Sequence, residues 1–367
     1  MSRRRRIPVW ILPAALLGLV VIGLPLSQLT DTGIERSIKE DLGLIDVGCV
    51  PQTTDSPGWR GLRPLPDRRD EPRAVALDGQ IYLAGGIKTI DSYGRRSDVP
   101  GVPERVVVTP LRSFTRFDPR TGRYTELAPL PEGLSHIGFV TYRGSIYVVG
   151  GHGILLWGAA PKDGFYHYTP GRDRWVRLPS LPTPRGAVAA AVVGDRLYVA
   201  GGMAAGIALS VVEAYDFGTG RWQRVANLPA AREHIAGVSL GGRFYVVGGR
   251  NRVTDALPDV ARYDPASDSW EQLPGLPVRE GGGEAQPYDG ALLAIGGGND
   301  RDETVTGAVQ RFDPASERWT ELAQMRTPRH GFGSAVVGDT IYTFGGSPCA
   351  RFAASDFVEA FTPPGAH

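Results

Sequence analysis

The sequence lacks the short motifs on which many enzyme active sites are built. It contains no Gly-x-Ser-x-Gly elbow, no His-Glu-x-x-His pair, no phosphate-binding loop and no dinucleotide-binding glycine fingerprint. Its six histidines are scattered, without the close spacing that is typical of metal ligands. These absences exclude the enzyme classes that depend on those motifs, and the sequence predicts neither a metal ion nor a cofactor.

Lysine is scarce as well. Of the 40 basic residues, three are lysines (Lys39, Lys88 and Lys162) and the other 37 are arginines. The formal net charge is +1, and the aromatic residues do not alternate with basic ones along a stripe, as they do on many nucleic-acid-binding surfaces. We interpret the arginine excess as a consequence of genomic base composition, and the sequence predicts no nucleic-acid partner.

Charge is absent from one long segment near the N-terminus. Arg3 to Arg6 precede 24 uncharged residues, Ile7 to Thr30, enough to cross a hydrocarbon core of about 30 Å. The arginines favour a cytoplasmic N-terminus. Residues 1–30 are therefore predicted to be a transmembrane anchor, with the rest of the chain outside the cytoplasm. The alternative is a cleaved signal and secretion, because Val21-Ile22-Gly23 offers a small-residue cleavage point and Pro13 and Pro25 interrupt the segment.

Residues 31–58 form a connector between this segment and a set of repeats. Ile34, Ile38, Leu42 and Ile45 recur at spacings that fit one short amphipathic helix. This helix is either part of a spacer or a surface for a partner, and the sequence alone leaves both interpretations open.

An aromatic residue is followed 26 positions later by the first glycine of a Gly-Gly pair six times, without insertion or deletion. We call these aromatic residues the anchors and number positions from each anchor as zero. A spacing repeated this often indicates one structural unit stacked on copies of itself. The pairs are Trp59 and Gly85, Tyr124 and Gly150, Trp175 and Gly201, Trp222 and Gly248, Trp270 and Gly296, and Trp319 and Gly345.

In five of the six copies, an aromatic residue stands seven positions before the anchor. Asp-Pro or a near variant usually follows it, and this pair starts a tight turn because Asp bonds the following backbone and Pro fixes φ. A β-favouring residue, usually tyrosine, stands in the segment that ends in Gly-Gly. This order predicts four short antiparallel strands per unit. The upstream residues are Phe117, Tyr168, Tyr215, Tyr263 and Phe312.

With the Gly-Gly pair, the Tyr-Asp-Pro element, the tryptophan and a Leu-Pro break, residues 59–363 resemble the kelch-repeat family, of a bacterial exported or membrane-anchored type. The resemblance implies an all-β, six-bladed β-propeller of four-stranded antiparallel blades over residues 59–367. Phe361 is an upstream aromatic without an anchor after it, and Trp59 is an anchor without an upstream aromatic before it. The strand around Trp59 is therefore predicted to complete the C-terminal blade and close the ring.

Both cysteines of the chain lie near this closure. Cys49 precedes the closing strand by ten residues, and Cys349 lies four residues after Gly345 in the blade that the strand completes. In an oxidising compartment, a disulfide between them would lower the entropy of the unfolded chain and so stabilise the ring. This pairing is a hypothesis that the sequence does not decide.

Length variation among the repeats falls in the segment after Gly-Gly, which shares one face of the disc with position +10, where each first strand starts. By the resemblance, arginines at +10 would line the channel mouth and bind a carboxylate or phosphate. The alternative is a scaffold role between neighbouring loops. Positions +12 and +14 would add to the site. The predicted ligand-binding residues are Arg69, Glu71, Arg73, His136, Arg185, Arg232, His234, Arg279 and Arg329.

Blade 1 has one long insertion, roughly Ile87 to Leu111, and blade 2 follows with a loop of its own. Long loops in compact folds often carry function. Packing between the two loops is the alternative. The predicted contact residues in these loops are Tyr93, Arg95, Arg96, His152 and Trp157.

These patterns favour a binding module that recognises a peptide, protein or anionic saccharide at the loop face. The alternative is a carbohydrate-active enzyme similar to the sialic-acid mutarotases that resemble kelch propellers, in which a His or Glu near an Arg transfers a proton. Residues that could supply such a step are His136, His234, Glu71 and Glu284. The sequence assigns no catalytic residue.

Overall fold

A computed structural model describes residues 51–90, 107–155, 158–251, 255–299, 301–350 and 353–363. The predicted anchor or signal, residues 1–30, lies outside these ranges, as does the connector up to residue 50. Within the described ranges, no helix has the length and the apolar character needed to cross a membrane. Both interpretations of the N-terminal segment therefore stay predictions.

Six four-stranded antiparallel sheets form the blades of a propeller, as predicted. Within blades 1 to 5 the strands lie side by side in sequence order, and the first strands of neighbouring blades contact one another around a central channel. Blade 6 is the exception, because its outermost strand is β1 (Trp59–Gly61), which precedes all the other described strands in the chain.

The first three blades, given from the channel outwards, have these bounds. Blade 1 contains β2 (Arg73–Leu77), β3 (Gln80–Ala84), β6 (Phe114–Asp118) and β7 (Arg123–Glu126), with a hairpin of β4 (Ile87–Ile90) and β5 (Val107–Pro110). Blade 2 contains β8 (Gly138–Tyr142), β9 (Ser145–Val149), β12 (Phe165–Thr169) and β13 (Arg174–Arg177), with the hairpin strands β10 (His152–Leu155) and β11 (Gly158–Pro161) and a 3-10 turn (Pro170–Arg172). Blade 3 contains β14 (Ala189–Val193), β15 (Arg196–Ala200), β18 (Val212–Asp216) and β19 (Arg221–Val225), with the hairpin strands β16 (Met203–Ala204) and β17 (Ile207–Ala208).

The remaining blades repeat this plan. Blade 4 contains β20 (Ala236–Leu240), β21 (Arg243–Val247), β24 (Val260–Asp264) and β25 (Ser269–Leu273), with the hairpin strands β22 (Arg250–Asn251) and β23 (Asp255–Ala256). Blade 5 contains β26 (Glu284–Tyr288), β27 (Ala291–Ile295), β30 (Val309–Asp313) and β31 (Arg318–Glu321), with the hairpin strands β28 (Gly298–Asn299) and β29 (Thr304–Val305). Blade 6 contains β32 (Gly333–Val337), β33 (Thr340–Phe344), β34 (Val358–Phe361) and β1.

The second strand of every blade is buried over its last four residues, because the neighbouring blades cover both of its faces. Its sequence is accordingly a continuous apolar run, such as Ile81–Ala84, without the alternation of a half-exposed strand. The fourth strand lies at the outer edge and is largely exposed, as in β7 and β13. The core of the molecule therefore lies between the blades.

The anchors join each blade to the one before it. The indole N–H of Trp175 donates a hydrogen bond of 2.9 Å to the carbonyl of Ala128, four positions after the preceding anchor. The hydroxyl of Tyr124, the one tyrosine anchor, reaches the equivalent carbonyl of Arg63 at 3.0 Å. The remaining bonds run from Trp59 to Ala323, Trp222 to Pro179, Trp270 to Ala226 and Trp319 to Pro274.

The Gly-Gly pairs join each blade to the one after it. Gly85 has a φ of 63°, and a Cβ there would lie 2.4 Å from the carbonyl oxygen of Leu134 at position +10 of blade 2. The N–H of Gly86 donates to the same oxygen at 3.0 Å. The equivalent bonds run from Gly151 to Arg185, Gly202 to Arg232, Gly249 to Glu280, Gly297 to Arg329 and Gly346 to Arg69. Both ends of the constant 26-residue unit are thus fixed by contacts between blades.

The ring closes as predicted. β1 pairs antiparallel with β34, with Trp59 opposite Phe361, and the two rings stack with their centroids 4.8 Å apart. Near this closure, the carbonyl of Cys349 accepts a hydrogen bond of 2.8 Å from His330. Cys49 lies outside the described residues, so its disulfide with Cys349 stays a prediction.

Candidate functional site

The start of each first strand and the segment after Gly-Gly share one face of the disc, as predicted. An isolated β-bridge joins position +11 to the first residue after the Gly-Gly pair in every blade. These bridges are Asp70 to Ile87, Ser135 to His152, Gly186 to Met203, Glu233 to Arg250, Gly281 to Gly298 and His330 to Ser347. We call this side of the disc the loop face.

The four arginines at +10 are buried and do not form an accessible rim. Their relative exposure is 1% or less, because their guanidinium groups point into the blades. Arg185 Nη1 binds Glu213 at 2.6 Å, and its other nitrogens donate to backbone carbonyls. Arg329 makes the matching bond to Glu359, also at 2.6 Å. The expectation of an open basic rim is therefore wrong for these side chains, and the scaffold interpretation fits their partners.

Arg69 and Arg232 lack this carboxylate. At the position of Glu213, their blades carry Thr115 and Ala261 instead. Arg232 Nη1 donates to the carbonyls of Gly248 and Asp259, and burial lowers the pKa of its guanidinium to about 10. Arg69 Nη2 donates to the Ser113 hydroxyl at 3.0 Å and pairs with Asp67.

Glu280 takes the place of arginine in blade 5, and it is almost completely buried. One carboxylate oxygen accepts a bond of 2.7 Å from the Gly283 N–H, whereas Oε1 has no hydrogen-bond partner in the described structure. Burial raises the pKa of Glu280 to about 8, so its carboxyl group is mostly protonated at neutral pH.

The residues at position +12 lie around the channel axis at the loop face. All six have positive φ, between 48° and 69°, a conformation that is costly for the non-glycine members. Backbone N–H groups donate to carbonyls of the neighbouring blade from Glu71 to Gly331, Ala187 to His136, His234 to Ala187, Gly282 to His234 and Gly331 to Gly282, over 2.6–3.0 Å. We call these six residues the +12 ring.

Three members of the +12 ring bring ionisable side chains together on the axis. Glu71 Oε1 lies 3.6 Å from His136 Nε2 and 4.0 Å from His234 Nε2. The two imidazole centroids are 4.8 Å apart. All three side chains are buried, with relative exposures of 3%, 5% and 8% for Glu71, His136 and His234. The other members, Ala187, Gly282 and Gly331, have little or no side chain.

Polar groups from the bridged residues surround this cluster. The carboxylate of Glu233 accepts from His234 Nδ1, and Arg250 Nη2 donates to His234 Nε2 at 3.2 Å. His136 Nδ1 lies 2.8 Å from the Ser135 hydroxyl. His152, one of the predicted loop contacts, is buried beside His136, with ring centroids 5.2 Å apart.

Burial controls the ionisation of this cluster. It lowers the pKa values of His136 and His234 well below the usual range, and nearby positive groups such as Arg250 act in the same direction. Burial also raises the pKa of Asp70 well above its usual range, helped by the charge of Glu71. Both imidazoles are therefore neutral at pH 7. Their burial does not favour an isomerase, because a histidine that transfers a proton must reach the substrate.

A cavity of about 350 Å³ begins just past the +12 ring, along the first strands. Arg73 and Glu284, both at +14, form an ion pair between blades 1 and 5 at this cavity. The Ser334 hydroxyl also donates to Glu284, at 3.2 Å. The structure thus places Arg73 in the channel wall and partners it with a carboxylate from another blade.

Comparison with known proteins agrees with this architecture. A model of the KLHDC2/KLHL20/DRC7 Kelch-repeats domain matches residues 136–346, more than half of the chain. The chain belongs to the kelch-repeat family. Whether this kelch protein is of the exported or membrane-anchored type is not decided by the match and stays a prediction.

Relatives of this kelch protein include three proteins named as kelch-like. Kelch-like protein terF of Aspergillus terreus is 31% identical over 141 residues, 37% of this chain and 28% of that protein. Kelch-like protein 35 of Mus musculus is 27% identical over 218 residues, 59% of this chain and 33% of that protein. Kelch-like protein 25 of Xenopus tropicalis is 26% identical over 246 residues, 67% of this chain and 38% of that protein. The chain therefore spans less than two fifths of the length of each of these relatives.

The predicted loop contacts are only partly covered by the structure. Tyr93, Arg95, Arg96 and Trp157 lie outside the described residues, so their roles stay predictions. Arg279 is exposed on the loop face, where it lines a cavity of about 230 Å³ with Asn299, Asp302 and Thr304. Of the predicted ligand-binding residues, Glu71, His136 and His234 come together, Arg73 lies in the channel wall, and Arg279 stands apart.

Sequence comparison missed the second layer of the cluster. Asp70, Glu233 and His330 stand at +11, and Arg250 is the first residue after a Gly-Gly pair. These repeat positions hold different residue types in the other blades, so a comparison of the repeats does not single them out as functional. The bridges between +11 and the segment after Gly-Gly provide the missing signal, because they place both sets of residues beside the +12 ring.

Proposed function

We propose that this kelch propeller is a binding module, held outside the cytoplasm, that recognises a protein or peptide through its loop face. One observation carries the proposal. Blades 1 to 5 each raise a two-stranded hairpin from the same face, and neighbouring hairpins contact each other at β5 with β10, β11 with β16, and β23 with β28. These hairpins together form a raised surface, which we call the hairpin collar.

The hairpin collar has the chemistry of a protein-binding surface. Ile207 is 63% exposed at the tip of the β16–β17 hairpin, where it offers an apolar contact. Lys88 and Arg279 are exposed elsewhere on this face and can pair with acidic groups. An acidic peptide side chain fits beside Arg279, and the carboxylate of an anionic saccharide offers the same charge.

Arrays of peptides and glycans, probed with the full-length chain, test this proposal. Affinity for a ligand found in this way is expected to fall at least tenfold, about 1.4 kcal/mol, in Arg279→Glu and Ile207→Asp. Matched controls are Arg120→Glu, in a turn on the opposite face, and Val176→Asp, on an outer strand, both at exposed positions.

The outcome separates the candidate partners. Equal losses in Arg279→Glu and Ile207→Asp and in the controls would contradict recognition through the loop face. Binding to acidic glycans but not to peptides would replace the protein partner with a saccharide. The location is tested separately by the accessibility of the C-terminus to protease in intact cells, which is expected if the propeller lies outside the membrane.

A further inference from the structure

We infer that the channel mouth contains a binding site for a divalent transition-metal ion such as Zn²⁺, with Glu71, His136 and His234 as its ligands. Two imidazoles and one carboxylate are a common ligand set for such ions, and three protein ligands leave a coordination position for water or another molecule. This inference does not depend on the proposed partner, because it concerns the propeller axis and not the hairpin collar.

The distances fit a site that contracts slightly around an ion. The three donor atoms lie within 4.8 Å of one another, with Glu71 Oε1 at 3.6 and 4.0 Å from the two Nε2 atoms. Bonds of about 2.0–2.1 Å in tetrahedral geometry place neighbouring ligand atoms roughly 3.3–3.5 Å apart. The two pairs that include Glu71 must therefore close by about 0.1–0.7 Å, and the two imidazole nitrogens by at most about 1.5 Å, which rotations of the side chains can supply.

Hydrogen bonds hold both imidazoles in the required orientation. Arg250 donates to His234 Nε2, so Nε2 carries the lone pair and Nδ1–H donates to the Glu233 carboxylate. His136 Nδ1 is likewise held by the Ser135 hydroxyl at 2.8 Å. A metal-binding histidine usually has such an outer partner, which fixes the ring and directs its other nitrogen at the ion.

The backbone also prepares the site. The ligands come from blades 1, 2 and 4, and the hydrogen bonds of the +12 ring fix the positions of their Cα atoms. The small residues at the other three ring positions leave room on the axis. At Gly331, for example, a Cβ would lie 2.7 Å from Glu71 Oε1. Rigid elements that hold first-shell ligands in this way favour metal binding.

Arg250 competes with a metal ion for the lone pair of His234 Nε2. Its Nη2 occupies the lone pair of His234 Nε2 and must leave when an ion binds, whereas its Nε remains able to bond Glu233, 3.0 Å away. Removal of this guanidinium should therefore strengthen metal binding. This opposite direction of effect distinguishes a metal site from a purely structural cluster.

The test uses the full-length chain, purified without a histidine tag and stripped with a chelator. Calorimetric titration with Zn²⁺ is expected to show one equivalent bound, and Co²⁺ is expected to give the visible absorption of a tetrahedral N/O site. Affinity should fall at least tenfold in His136→Ala, His234→Ala and Glu71→Gln. His167→Ala is the matched control, since His167 stacks on Tyr147 in blade 2, away from the cluster.

Circular dichroism shows whether each variant folds. If the histidine variants do not fold, two other variants test the metal site. Glu71→Gln preserves the side-chain shape and should weaken Zn²⁺ binding, and Arg250→Gln should tighten it. Absence of Zn²⁺ uptake by the wild-type chain at micromolar concentrations would overturn the inference. So would a Zn²⁺ affinity that Glu71→Gln leaves unchanged and Arg250→Gln does not raise.

Discussion

Arg185 and Glu280 occupy the same position in blades 3 and 5, and burial disfavours the charged form of both side chains. Arg185 keeps its charge because Glu213 and backbone carbonyls satisfy the guanidinium. Among the described residues Glu280 has no cationic hydrogen-bond partner, and its carboxyl group holds a proton instead. One repeat position thus accommodates either sign of charge, by pairing in one blade and by protonation in another.

Glu280 should make the stability of the propeller depend on pH. Its pKa is about 8 in the folded chain against an ordinary value of 4.5, so between these values the folded state holds a proton that the unfolded state has released. The free energy of unfolding therefore falls as pH rises through this window, by at most about 1.4 kcal/mol per pH unit.

In Glu280→Gln the side chain has the shape of the protonated acid and cannot ionise. This variant is therefore expected not to lose unfolding free energy as pH rises through this window. Urea unfolding of wild type and variant at pH 5, 6.5 and 8 measures the difference. The variant should gain stability relative to wild type as pH rises, and a constant difference across the three pH values would contradict the assignment.

At the scale of the element, the anchors and the Gly-Gly pairs explain why no repeat tolerates an insertion between them. An anchor donates to a carbonyl of the preceding blade, and the second glycine of each pair donates its N–H to the +10 carbonyl of the following blade. One added residue in this unit would move one of the two contacts out of register. The variable hairpins lie outside the unit, so their length changes freely.

Gly85→Ala is expected to cost about 1–3 kcal/mol more in unfolding free energy than Gly122→Ala. Both glycines have φ near 65°, so both variants pay the same backbone cost. A Cβ at Gly85 meets the Leu134 carbonyl at 2.4 Å, however, whereas at Gly122 no atom of the described residues lies within 4 Å. Thermal and urea unfolding of the two variants measures the difference, and equal costs would show that the interblade contact is unimportant.

The repeat pattern predicted the blades, their number and the closing strand, because each depends on contacts that recur at a fixed spacing. It also placed Arg69, Arg185 and their equivalents on the correct face. It could not show that these side chains point inward, since that direction depends on partners in the third strand. The cluster of Glu71, His136 and His234 was hidden because 65 and 98 residues separate its members along the chain.

For the whole molecule, closure by β1 removes the free edge of β34. A chain that begins at residue 63 is expected to associate through this edge, because its backbone groups and Phe361 would be uncovered. A chain that begins at residue 51 retains the strand and should stay monomeric. Both variants lack Cys49, so the comparison reports on the strand alone. Light scattering measures their mass, and equal masses would contradict the prediction.

The side chains of the +12 ring make an otherwise repetitive disc asymmetric about its central axis. Its backbone conformation is almost the same in all six blades, so a partner that met only the main chain could settle in six equivalent orientations. The residues around the ring are Glu, His, Ala, His, Gly and Gly, and no rotation from blade to blade superposes this set on itself. A molecule that binds at the axis therefore meets an asymmetric set of side chains, which can favour one rotational orientation over the other five.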